Sequence, residues 1–157
     1  MSNVTAERTD QPCVILDILS DPDIAERIRD DSDAALVFDV EREAWVVMRD
    51  GDTVLGAYGL RPLNRYTLEI HAHILPEHRD QYAVETGWAI LRWIVDNQDY
   101  AKILAEIPAC YPDVIAFTKK FGFKQEGVNR LSVQKDGKMI DQIWLGITRQ
   151  EVLDELG

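Results

Sequence analysis

Apolar residues recur along this chain in two rhythms, and the changes between them mark its elements. Cys13 to Leu19 is a short apolar run rich in β-branched residues and predicts a strand. Ser20 or Asp21 then caps a helix with Pro22 in its first turn, its apolar face carried by Ile24, Ala25 and Ile28. That helix ends in the acidic stretch Asp30 to Asp33. Ala44 to Arg49 and Thr53 to Leu60 read as strands joined by an Asp50-Gly51-Asp52 hairpin turn. After a turn at Pro62 to Arg65, Thr67 to Leu75 alternates strictly, with Leu68, Ile70, Ala72 and Ile74 on one face and Glu69, His71 and His73 on the other.

Pro76 closes that strand, and from Gln81 to about Asn97 the apolar positions Val84, Gly87, Trp88, Leu91 and Ile94 or Val95 switch to helical spacing. Ala101 to Ile107 is a strand, stopped by Pro108. A helix starting at Pro112 carries Val114, Ile115, Phe117 and Phe121 and ends at Gly122. Leu131 to Gln134 and Met139 to Ile147 form a hairpin about Lys135-Asp136-Gly137-Lys138, and Arg149 to Leu156 is a short amphipathic helix. The order β-α-β-β-β-α-β-α-β-β implies an α/β domain on a mixed sheet, with a right-handed crossover between the central parallel strands. No internal repeat, linker or low-complexity segment interrupts it.

Composition narrows the picture. The 157 residues suit one domain, 13–157, preceded by a polar stretch, Met1 to Pro12, expected to be a disordered lead-in. No apolar run is long enough to span a membrane and no signal-peptide pattern opens the chain, so a cytoplasmic location is expected. The two cysteines, Cys13 and Cys110, make no disulfide framework. The net charge of −11 disfavours nucleic acid and favours cationic partners such as amines, polyamines or basic protein segments. The acid is concentrated in Asp21 to Asp33 and Asp39 to Glu43. Of the tryptophans, Trp88 lies on the apolar stripe of the central helix and Trp93 falls off it, toward a groove or interface.

Several local motifs fall in a family's order. Thr53-Val54-Leu55-Gly56 follows the Asp-Gly turn, Leu75-Pro76-Glu77-His78-Arg79 leads into the long helix, and Phe117-Thr118-Lys119-Lys120-Phe121-Gly122-Phe123 ends the later one. Together these resemble the GNAT (GCN5-related) N-acetyltransferases over roughly residues 13 to 148, and among them short acetyltransferase-like proteins of tailed phages. The resemblance implies the acyl-CoA N-acyltransferase fold, acetyl-CoA as cofactor, an amine acceptor and a possible homodimer through C-terminal strands. It implies cofactor contacts from Ile74, Leu75, Arg79, Asp80, Gln81, Tyr82, Ala83, Val84, Tyr111 and Thr118. The chain departs from the family where an Arg/Gln-x-x-Gly-x-Gly/Ala turn brings backbone N–H groups to the cofactor's pyrophosphate. Arg79 fits the first position, but Tyr82 and Val84 stand in place of the glycines. Tyr111 replaces the family's Asn, and Thr118 the Tyr that commonly protonates the leaving thiolate.

Acetyl transfer needs a base for the ammonium and donors for the thioester carbonyl. The resemblance assigns the carbonyl's donors to the splayed strands ending near Leu75 and Ile107. Glu69 is the first candidate base, with His71 and His73 on the same face as base or proton relay. Arg79 suits a phosphate, and Lys119 and Lys120 a more distant one. Two other functions compete. A GNAT fold without its cofactor would be a binding protein for a host or virion protein. Glu69, His71 and His73 would be metal ligands, although no CxxC or HExxH accompanies them.

Overall fold

The structure is a computed structural model that describes residues 3–32 and 41–157. Asp33 and Asp39, at the limits of the two acidic stretches, lie outside the described residues. The elements run β1 (Val4–Thr9), α1 (Pro12–Leu19), α2 (Pro22–Ile28), β2 (Ala44–Asp50), β3 (Thr53–Pro62), β4 (Thr67–Ile74), α3 (Pro76–Asn97), β5 (Lys102–Pro108), α4 (Pro112–Lys119), β6 (Lys124–Lys135), β7 (Lys138–Thr148) and α5 (Arg149–Leu156). The strands form one seven-stranded sheet in the order β1-β2-β3-β4-β5-β7-β6. β4 and β5 are parallel, and every other pair is antiparallel.

Two expectations for the N-terminal part are corrected. The segment expected to be a disordered lead-in contains β1, whose Val4 to Thr9 pair with Asp50 to Trp45. It is an edge strand with exposed Thr5, Glu7 and Arg8, so it lacks the apolar alternation that would have marked it. Burying a large aliphatic side chain contributes roughly 1.5–3 kcal/mol. β1 buries none fully, and its backbone ladder holds it. The run expected to be the first strand is instead α1. Its continuous apolar sequence has no period to decide between helix and strand. Pro12 at the helix start and the spacing of buried Ile15, Ile18 and Leu19 explain the helix.

From there the elements follow the predicted order. Asp21 caps α2, its Oδ1 accepting from the amides of Asp23 (3.0 Å) and Ile24 (3.2 Å). Gly51 (φ +58°) turns β2 into β3, and Asp136 and Gly137 (φ +52° and +77°) turn β6 into β7. β6 begins well before Leu131, because its register shifts hide the alternation. α3 begins at Pro76 rather than Gln81. A capping box between Thr148 and Glu151 starts α5.

The sheet buries both faces. Ile90, Leu91 and Ile94 of α3 and Val152 of α5 share one cluster with Val46, Leu60, Leu68, Ile103, Leu145 and Ile147. Trp93, expected at a groove or interface, is half-buried and packs against this cluster. Ile15, Ile18, Leu19 and Ile24 of α1 and α2 share the other with Trp45, Val47 and Ala57.

One close approach fixes the path of β4. Gly56 has φ +155°, and a Cβ there would lie 2.3 Å from the His73 carbonyl oxygen and 2.7 Å from Ile74 Cα. Both are backbone atoms, so no rotamer change relieves the clash. Gly56→Ala should cost roughly 1–3 kcal/mol, read as a lower urea midpoint. An unchanged midpoint would mean that β3 and β4 separate freely there.

Candidate active site

The parallel ladder between β4 and β5 is short. It pairs Thr67 with Lys102, Leu68 with Ile103 and Glu69 with Leu104, and ends. β4 continues along β3 as far as Ile74, and β5 along β7 as far as Pro108, so the two strands diverge. The divergence interrupts the predicted alternation: Leu68 and Ile74 are buried, whereas Ala72 is exposed.

A cavity of about 790 Å³ opens in this divergence. Its walls are mostly apolar, including Ile70, Ile74, Ile90, Leu91, Ile107 and Phe117. That is the size and character of a small-molecule site. Of the residues singled out from the sequence, His71, His73, Ile74, Arg79, Ala83, Tyr111, Thr118 and Lys120 line it, while Glu69, Leu75, Asp80, Gln81, Tyr82, Val84 and Lys119 do not.

Glu69 sits at the branch point of the two strands and is 8% exposed. Its Oε1 lies 3.1 Å from Nε2 of His71, which faces the cavity. The hydrogen bond from His71 holds the Glu69 carboxyl below its ordinary range, against the opposing effect of burial. Glu69 is thus an anion behind a histidine, and His71 is the group presented to a ligand. His73 differs from its neighbour. Its ring stacks on Trp45 (centroids 5.8 Å apart), and burial, helped by His71, pushes its pKa down to about 3. Among the described residues, no three His, Cys, Asp or Glu side chains converge as a metal-ligand group.

One polar group at the cavity, Glu106, escaped the sequence reading, and so did Lys135, which engages Tyr111. Glu106 lies on β5, its Oε1 3.3 Å from Nδ2 of Asn129. An isolated Glu in a strand carries no signal. Tyr111 starts α4, and its hydroxyl accepts from the ammonium of Lys135. Both the Lys135 ammonium and the Arg27 guanidinium lie over its ring, 5.0 Å and 5.5 Å from the centroid. Lys135 also donates to the Glu26 carbonyl, tying the β6–β7 turn to α2. Thr118 spends its hydroxyl on the Val114 carbonyl at 2.8 Å.

The sequence matches the acetyltransferase (GNAT) domain family over residues 4–124, and the chain belongs to that family. None of the curated proteins matches it by sequence. Among solved structures it resembles the spermidine N-acetyltransferase of Vibrio cholerae in complex with CoA and spermine, with a TM-score of 0.81 at 17% identity, covering 96% of this chain and 98% of that one. It also resembles a probable GNAT-family acetyltransferase of Chromobacterium violaceum, with a TM-score of 0.74 at 17% identity, covering 96% of this chain and 85% of that one. The fold is therefore the GNAT acyl-CoA N-acyltransferase fold.

The residues present fit a coenzyme A ligand unevenly. The cleft suits an acyl group and a slender arm. The diphosphate does not fit the start of α3. A helical amide bonds the carbonyl four residues back, so α3, helical from Pro76, spends the amides of Asp80 to Val84 internally. Arg79 is also engaged: its Nε donates to the Ile74 carbonyl (3.0 Å) and its Nη2 pairs with Asp23 (2.6 Å).

The depressed pKa of His73 gives a prediction with a definite sign. Below about pH 6.5, the ordinary histidine value, the unfolded chain binds a proton that the folded chain refuses. Stability should fall as the pH drops from about 6.5 toward 3, by up to about 1.4 kcal/mol per pH unit from this residue. His73→Phe, which keeps a ring against Trp45, should flatten that slope in urea titrations. An unchanged slope would mean that His73 protonates freely in the folded state.

Proposed function

We propose that this protein is an N-acyltransferase that moves an acyl group, acetyl in the first instance, from a thioester to an amine. The observation that carries the reading is the divergence of β4 and β5 just beyond Glu69, which opens the cavity with His71 at its wall. The transfer forms a nitrogen–carbon bond and breaks the carbon–sulfur bond. An ammonium must lose a proton before it attacks, and His71 is the group to take it. Glu69 is a positioning residue: its carboxylate orients the imidazole and stabilises the imidazolium. Over the turnover one proton leaves to solvent and one ends on the departing thiol. Backbone N–H groups along the diverging edges are suited to polarise the thioester carbonyl.

A cationic amine suits the net charge of −11, and the relative crystallised with spermine makes spermidine a sensible first acceptor. His71→Ala should lower kcat/KM by about 10²- to 10⁴-fold, the usual contribution of a general base. Glu69→Gln should lower kcat with little change in KM and displace the acid limb of the pH profile. Thiol release from an acetyl thioester, followed across a panel of amines with spermidine first, measures both. Wild-type protein that releases no thiol with any amine would sink the enzymatic reading.

A second reading keeps the fold and the cleft without catalysis. The unbroken start of α3, with Arg79 held by Asp23, favours it. It requires a ligand or partner whose binding survives loss of His71.

A further inference from the structure

The protein itself engages much of the start of α3. An unbroken helix leaves N–H groups free only in its first turn. Here Pro76 has none, and the amide of His78 already bonds the Leu75 carbonyl at 2.9 Å. The side chains that flank the turn are spent as well. Arg79 bridges the Ile74 carbonyl and the Asp23 carboxylate. Tyr82 donates its hydroxyl to Asp50 Oδ2 at 2.6 Å, and its ring meets His78 edge-on. The cations nearest the turn are already matched: Asp23, held ionised by its hydrogen bond from Arg79, pairs with both Arg79 and Arg27, and Glu77 adds a carboxylate in the helix's first turn.

The cleft differs in every respect. It is apolar, and it is bounded by strand edges beyond the end of the β4–β5 ladder. A ligand finds contact area and strand edges there; of the cations that line the cleft, Arg79 and Arg27 both pair with Asp23, and Lys120 is the C-cap of α4. We infer that this chain holds its acyl donor by the acyl group and the pantetheine arm alone, so that the nucleotide diphosphate half of coenzyme A adds nothing to binding. The inference rests on the acyltransfer reading and sharpens it: the donor class is a thioester of a pantetheine arm, whether or not a nucleotide follows. A pantetheine arm displayed by an acidic carrier protein is disfavoured, because this chain carries −11.

Isothermal titration of the wild-type protein with acetyl-CoA and with acetyl-pantetheine, each at low and high salt, tests this. Dissociation constants that differ by less than tenfold, with no steeper salt dependence for acetyl-CoA, are the expected result. Acetyl-CoA binding tenfold or more tightly than acetyl-pantetheine, with the advantage lost in salt, would overturn the inference and leave the acyltransfer reading intact. Binding of neither compound at millimolar concentration would overturn both.

Discussion

The site depends on the early end of one backbone ladder. Two parallel strands in the middle of a sheet normally stay paired, because each lost hydrogen bond leaves a donor and an acceptor to be satisfied elsewhere. β4 and β5 part after Glu69 and Leu104, yet both stay anchored on their outer sides by β3 and β7. The sheet therefore splits without fraying. Leu68 and Ile103 remain buried beneath the branch point, and the cavity lies beyond it. The position of Gly56, pressed against the backbone of His73 and Ile74, keeps the β4 arm of the split against β3.

The same branch point separates three polar residues that the alternation of β4 groups on one face. Glu69 is sealed in at the junction, His71 projects from it into the cavity, and His73 is stacked under Trp45. Burial acts on them in opposite senses. Glu69 keeps its charge because His71 hydrogen-bonds it, whereas burial and the neighbouring His71 keep His73 neutral. One face of one strand thus supplies a buried anion, an imidazole at the cavity wall and a structural ring.

Much of the fold was legible in the sequence because its central elements carry a clear period: the β2–β3 hairpin with its Asp-Gly turn, the alternation of β4 and the helical stripe of α3. The N-terminal part was not, for two reasons. β1 packs only the small Val4 and Ala6 against the core, and α1 is apolar nearly throughout, so neither shows a strong period. Of the site, the residues of β4 were found because alternation assigns them a face. The choice of His71 over Glu69 as the exposed group was invisible, since both share that face and only the branch point distinguishes them. Glu106 lines the cavity from β5 and Lys135 reaches Tyr111 from β6, and no local pattern announces either. Tyr82 and Val84 lie within the unbroken helix α3, and nothing in the sequence announced that Arg79 would be claimed by Asp23.

The central claim is that ligands enter between β4 and β5 and meet His71 there. Nuclear magnetic resonance of the imidazole nitrogens during titration with acetyl-pantetheine examines it directly. The account predicts that the His71 signals shift with ligand, those of His73 follow weakly through Trp45, and those of His78 stay in place. A ligand-dependent shift at His78 with His71 unmoved would put the binding site at the start of α3 and contradict the account.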